Sequence, residues 1–279
     1  MKRIEFTAGR SCRLDDFLIH DRRMSKRLLT KLKRTENGIT RNGTLIRSID
    51  MVEPGDVITL QLEDKSFLEG NTSLDVPAAY ESSGVVVFDK PVGMPVHPSI
   101  KHQGDTLGNF FSGKYPGLTF RPVNRLDRDT SGLCCCAKDA FSAAALQGNI
   151  SKVYYAVACG RITGDGVIDA PIAREQDSII KRIVSPSGQR AVTHYTAVCG
   201  NDKYTLLRII LETGRTHQIR VHFAHAGHPL AGDDMYGGST DDISCQALHC
   251  GELTFTEPQS GEVITVRSDI REDMKKLVT

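Results

Sequence analysis

The feature that most restricts what this chain can fold into is a junction. The charged segment Asn124-Arg125-Leu126-Asp127-Arg128-Asp129-Thr130-Ser131-Gly132 runs directly into the apolar stretch 133–137. A short apolar run behind such a loop reads as a buried strand. A core strand fixes the loop's exit and makes it a rigid place to hold a reactive group. Two carboxylates and two guanidinium groups fall within five residues. Arg125 and Arg128 are expected to pair with Asp127, since a nearby cation favours the carboxylate form. Taken alone, the segment is equally a solvated turn with surface ion pairs. The rest of the chain must decide.

Buried or alternating strands are expected at 84–88, 133–137, 153–159, 191–198, 204–211, 246–250 and 261–266, with helices chiefly at 138–147 and 217–226. That pattern predicts an α+β fold in which a large mixed, mostly antiparallel sheet carries the domain 81–279. Residues 63–80 lose periodicity and gain polar residues, which predicts a linker. No apolar run is long enough to span a membrane, and no signal-peptide core follows the first residues. The eight cysteines contain no CxxC pair, and Cys134, Cys135 and Cys136 are consecutive. This argues against a zinc site and for a reducing, cytoplasmic setting; the three read as small apolar residues of the strand.

The net charge of +1 conceals an asymmetry: residues 1–47 hold 13 Lys/Arg against five Asp/Glu. Ser25 can cap a helix that places Met24, Leu28, Leu29 and Leu32 near one face. Arg22, Arg23, Lys26, Arg27, Lys31, Lys33 and Arg34, with no acid among them, would line a phosphate backbone. A strand, an Asn42-Gly43 turn and further strands up to Leu62 follow. This order resembles the small RNA-binding module first described in a ribosomal small-subunit protein, the S-four type. It predicts an N-terminal αβ RNA-binding domain over 1–62.

Three more stretches carry possible chemistry. Tyr154 and Tyr155 lie on one strand and must face opposite sides; one can stack on a base or exchange a proton. Thr213-Gly214-Arg215-Thr216-His217-Gln218-Ile219-Arg220 reads as a turn into a helix capped by Thr216, with two guanidinium groups near a positive helix end. His217, His222, His225 and His228 lack metal-ligand spacing, so packing, capping or RNA-facing roles are expected and no metal. The strand 246–250 is expected to bring Leu248 and His249 towards one site. No phosphate-binding glycine loop, GxSxG elbow or Cys–His pair is present.

Together, Lys90-Pro91-x-Gly93, Arg-Leu-Asp-Arg-x-Thr-Ser-Gly at 125–132, Lys152-x-Tyr154, Gly214 through His222, Gly227-His228-Pro229, Gly232-Asp233 and Leu248-His249 resemble the RluA-type pseudouridine synthases. The match is ordered and runs from about residue 84 to about 266. The resemblance implies Asp127 as nucleophile and Arg125 as the residue that fills the place of an extruded base. It implies Tyr154 stacking on the base, Arg220 paired with Asp127, Leu248 as a floor of the uracil pocket, and Arg215 and His217 as substrate-binding residues. The family usually carries His where this chain has Asn124, whose amide keeps donor and acceptor capacity.

The implied reaction breaks the glycosidic bond of uridine, turns the uracil and rejoins it through carbon 5. It needs no redox step or group donor, so no cofactor is expected. The carboxylate either attacks the base or ribose, or helps open the sugar. The expected partner is RNA, ribosomal in preference to transfer RNA, acted on by a monomer away from membranes. The competing readings are a non-catalytic RNA-binding or ribosome-assembly protein of the same fold, and a hydrolytic nucleobase glycosylase.

Overall fold

The computed structural model describes residues 2–63 and 68–279. Its centre is the strand Ser131–Ala137, buried along its whole length. This strand pairs antiparallel with Val85–Lys90 on one side and runs parallel to Leu248–Thr256 on the other, at Ser131↔His249 and Gly132↔Cys250. Leu248–Thr256 pairs antiparallel with Ile150–Cys159, which pairs with Tyr204–Leu211. Val192–Gly200 and Asp165–Asp169 extend that side. Ala78–Glu81 closes the other side, beside Val85–Lys90. The sheet is therefore mixed and mostly antiparallel, in an α+β fold.

Cys134, Cys135 and Cys136 are fully buried and packed with Val86, Val87 and Phe88, as small apolar residues would be. Burying such side chains contributes about 25 cal/mol per Å² of apolar surface. At Gly132 the chain needs glycine: φ is 101°, and a Cβ would lie 2.3 Å from the carbonyl oxygen of Cys250. The parallel contact between the two strands depends on that close approach.

The expected linker differs from what the structure shows. Residues 64–67 lie outside the described residues. From 68 onward the chain packs on the helix Leu107–Lys114, which periodicity did not reveal. Asn109 Nδ2 donates to the Glu69 carbonyl, Asn71 N–H donates to the Asn109 carbonyl, and Val76 is buried. Residues 78–80 belong to the sheet. The helix starts at Thr106, whose hydroxyl accepts from Asn109 N–H in a capping box.

Residues 2–62 form a separate four-stranded sheet built on the antiparallel pair Lys2–Thr7 and Val57–Leu62, with Ile39–Arg41 and Thr44–Leu45 alongside. Asn42 and Gly43 both have positive φ, as a tight hairpin turn requires. Ser25 caps the helix Lys26–Leu32 through Leu28 N–H, and Met24, Leu28, Leu29 and Leu32 are buried. This core is shared with the larger unit. Phe141, from the helix Ala140–Leu146, is fully buried within it, 5.1 Å from Phe6 between ring centroids. Lys2 Nζ meets Asp139 Oδ2 at 2.6 Å.

Candidate active site

The charged loop is held from several directions before any substrate arrives. Asn124 is buried; its Nδ2 donates to the Leu133 carbonyl at 3.1 Å and its Oδ1 accepts from Cys135 N–H at 2.7 Å. The amide thus uses both of its capacities on the central strand. Lys90 has no exposed surface, and its ammonium donates to the carbonyls of Pro91, Met94 and Arg128 at 2.8, 2.8 and 3.0 Å. Burial pulls Lys90 down from 10.5 to about 8, against the attraction of Cys134, Asp129 and Asp127. Thr130 N–H closes the turn on the Asp127 carbonyl, and Gln246 donates to Thr130 Oγ1 at 2.8 Å.

Asp127 emerges from this loop with its side chain 30% exposed, facing a cleft of about 540 Å³ and an adjoining recess of about 70 Å³. Tyr154, Leu211, Ile219 and Leu248 give the recess its apolar wall, while Arg125, Arg215, His217 and Arg220 supply polar groups. A recess in which an apolar wall faces converging polar groups suits a planar, hydrogen-bonding ligand. Arg220 Nη1 donates to Asp127 Oδ2 at 3.2 Å. Its stronger contacts go elsewhere: Nε and Nη2 grip the two oxygens of fully buried Asp233 at 2.7 and 2.8 Å. Burial opposes the Arg220 charge, but hydrogen bonding to Asp233 and the charges of Asp233 and Asp127 outweigh it and hold its pKa above its ordinary value. The two-pronged contact expected with Asp127 is thus made with Asp233, and Asp127 receives the remaining prong.

His217 stands at the entry to the helix Gln218–His225 with φ 57°, in the left-handed region, and its Nε2 lies 3.7 Å from Asp127 Oδ2. Burial, followed by the charge of Arg220, lowers its pKa below 6.5 against the attraction of Asp127 and Asp233. Burial also raises the Tyr154 hydroxyl well above 10, with Cys250 and Asp127 adding to the shift, so Tyr154 keeps its proton at neutral pH. Its role as a proton acceptor is weakened accordingly; its ring as a flat wall is not. Tyr155 points to the opposite face and packs beside Val157 and Tyr204.

Several local expectations need correction. Arg128 does not hold Asp127. It makes a two-pronged pair with its neighbour Asp129, at 2.8 and 3.0 Å. Arg125 lines the cleft, and no ion pair joins it to Asp127 among the described residues. Thr216 makes no cap; His217 takes that position without a side-chain cap. Gln218 organises the turn instead, its Oε1 accepting from Arg215 N–H and Thr213 Oγ1 while its Nε2 donates to the Val192 carbonyl and Thr193 Oγ1. His249 does not join Leu248 at the cleft. Strand alternation turns it to the other face, where Nδ1 meets Ser131 Oγ at 2.9 Å.

His222 bridges Thr193 Oγ1 and the Ala170 carbonyl, and His228 meets the Cys159 carbonyl. Both serve packing. Among the described residues no cluster of His, Cys, Asp or Glu could hold a metal ion, and no helix is long and apolar enough to cross a membrane.

On and around the helix Lys26–Leu32, Arg23, Lys26, Arg27, Lys31, Lys33 and Arg34 are exposed, and none of them forms an ion pair among the described residues. Arg22 differs. Its guanidinium lies over Phe6 and Phe17, 4.9 and 5.2 Å from the ring centroids, and donates to the Thr7 carbonyl. Sequence reasoning missed Tyr236, which touches both polar neighbours of Asp127: its hydroxyl is 2.8 Å from His217 Nδ1, and Arg220 lies over its ring at 4.9 Å. A lone tyrosine in a Gly-bounded turn offers no periodic signal. Asp233 was visible only as part of a motif, without its ion-pair role.

Comparison with known proteins agrees with this architecture. The family described as RNA pseudouridylate synthase matches residues 84–225. YjbO of Bacillus subtilis, described as an uncharacterized RNA pseudouridine synthase, is 38% identical over 267 residues, covering 91% of this chain and 94% of the relative. Ribosomal large subunit pseudouridine synthase D of Pseudomonas aeruginosa is 35% identical, covering 86% of this chain and 83% of its own. The structure of human RNA Pseudouridylate Synthase Domain Containing 1 shares the fold, with a TM-score of 0.60 at 24% identity over 72% of this chain and 86% of that one. With its site geometry and these relatives together, the chain belongs to the RNA pseudouridylate synthase family and is an isomerase, an RNA pseudouridine synthase.

Proposed function

We propose that this enzyme isomerises particular uridines in large-subunit ribosomal RNA, with Asp127 as the nucleophile and residues 1–62 as an RNA-binding module of the S-four type. The observation that carries the reading is the Asp127 carboxylate, held by Arg220 at the edge of a recess walled by Tyr154 and Leu248. In the reaction the bond from N1 to C1′ breaks, the bond from C5 to C1′ forms, N1 gains a proton and C5 loses one. Electrons balance without a redox partner. Tyr154 stacks on the uracil and Leu248 supports it. Arg215 and His217 line the entrance, and Arg125 occupies the place left by the flipped nucleotide. Flipping costs about a few kcal/mol, offset by phosphate contacts from the cleft and from the exposed arginines and lysines of 23–34.

The ribosomal substrate is supported by relatives of which the Pseudomonas aeruginosa protein is described as acting on the large ribosomal subunit. We further propose that the enzyme works as a monomer in the cytoplasm. Ribosomal RNA from cells lacking the gene, labelled with tritium at uridine carbon 5, tests this. The protein should release tritium and leave pseudouridine at one or a few positions of the large-subunit RNA. Release from transfer RNA alone would overturn the substrate assignment. Free uracil as product would favour a glycosylase.

A further inference from the structure

His217 is paired with Tyr236, and what this pairing does to Asp127 rests on the function proposed above. Tyr236 has one proton and two lone pairs to distribute. Its oxygen accepts from Arg182 N–H at 3.0 Å, and its only other polar neighbour among the described residues is His217 Nδ1 at 2.8 Å. Burial holds the phenol above its ordinary value, so the proton stays on the oxygen. Nδ1 is the one acceptor within reach of that proton among the described residues, and it accepts only when bare. A neutral imidazole with a bare Nδ1 carries its hydrogen on Nε2, the atom 3.7 Å from Asp127 Oδ2.

We propose that Tyr236 is a positioning residue that fixes His217 as the neutral Nε2–H tautomer. It thereby gives Asp127 Oδ2 a second oriented donor beside Arg220 and leaves Oδ1 to react. The separation of 3.7 Å exceeds a hydrogen bond, so the contact forms when the ring and the carboxylate close by a small shift. The groups facing His217 are Asp127 from the loop, Arg220 from its own helix, Asp233 and Tyr236 from the following turn, and Arg182 from the strand Arg182–Val184. The two arginines and burial oppose an imidazolium; the two aspartates favour it. The phenol proton tips the balance to the neutral ring. Without it, His217 gains a proton more readily, and an imidazolium next to Asp127 would quench the nucleophile by ion pairing.

The test uses the full-length enzyme with ¹⁵N-labelled histidine, the His217 signals being assigned by their loss in His217→Asn. Asparagine tolerates the left-handed backbone there. In the wild type, Nε2 should be the protonated nitrogen and should stay so from about pH 6.5 to 8. In Tyr236→Phe, both tautomers should appear and the imidazole should titrate at higher pH. Turnover should fall by about tenfold, as loss of a hydrogen bond to a charged group implies. KM for RNA should hold, and the acid limb of the pH–rate profile should move upward. A merely structural loosening would lower turnover evenly at all pH values and leave the limb in place, which would overturn the proposal. So would a hydrogen on Nδ1 in the wild type. Activity surviving in Asp127→Asn would remove Asp127 as nucleophile, and the tautomer measurement would still stand by itself.

Discussion

Two regions of this molecule collect positive charge and use it in opposite ways. On and around the helix Lys26–Leu32, six exposed arginines and lysines project into solvent with no partner among the described residues. At the cleft, Arg220 is almost fully buried and committed to Asp233 and Asp127. Exposed charges are screened beyond about 10 Å at 0.1 M salt and act collectively through counterion release. A buried guanidinium acts through fixed geometry, where the loss of one partner strands the other at a cost of about 3–5 kcal/mol. The first arrangement suits holding a polyanion, and the second suits orienting one carboxylate. Binding and chemistry should therefore separate under mutation.

The largest effect on turnover is expected at Asp127. Asp127→Asn keeps the shape and removes the carboxylate, so single-turnover isomerisation should fall by more than about 10³-fold. Affinity for RNA, measured by filter binding, should stay within about twofold, since a carboxylate neutralises no phosphate. Arg220→Lys comes next. It keeps the charge but cannot reproduce the planar grip on Asp233, so kcat should drop about 100-fold and the unfolding midpoint in urea should fall. A variant as active as the wild type would mean that the geometry around Asp233 is not what orients Asp127.

Replacing Arg23, Lys26, Arg27, Lys31, Lys33 and Arg34 with Gln should do the converse. Binding should weaken and its salt slope flatten by about 0.7–0.9 for each phosphate that is no longer neutralised, with turnover at saturating RNA unchanged. Substitution is a cleaner test than deletion of 1–62, because deletion would expose Phe141 and free Asp139 from Lys2. The smallest effect concerns stability. Burial first of all lowers the pKa values of His97, His217, His222 and His249 below 6.5. The unfolded chain then binds more protons as pH falls, so these groups contribute stability that is fully present above about 6.5 and is lost as pH drops through their folded values. Thermal midpoints should fall as pH drops below about 6.5 and be flat from about 6.5 to 8 as far as the histidines are concerned.

The central strand and its loop were legible because an uninterrupted apolar run and a dense charged segment leave little freedom. The Ser25 helix was legible because its cap and its apolar face agree. Ala78–Glu81 was not, since an edge strand of a buried sheet needs no alternation and its polar surroundings read as linker. Leu107–Lys114 was missed for a related reason: Gly108 and Gly113 weaken its helical signal, while Thr106 and Asn109 supply a cap that only the fold makes plain. Within the site, sequence proximity misled. Arg128 is adjacent to Asp127 in the chain yet pairs with Asp129, while Arg220, 93 positions away, makes the contact. Ion-pair choice is set by which way each side chain leaves the backbone, and that is a property of the fold.

The division of labour between the exposed helix charges and the buried cleft is most directly tested by one measurement. It is tritium release from carbon-5-labelled ribosomal RNA under single-turnover conditions, at RNA concentrations saturating each variant, for Asp127→Asn and the six-fold Gln variant side by side. The six-fold variant should release tritium at the wild-type rate once saturated, and Asp127→Asn should bind and release none. Release by Asp127→Asn at a rate near the wild type, or a saturated six-fold variant that fails to turn over, would contradict that division.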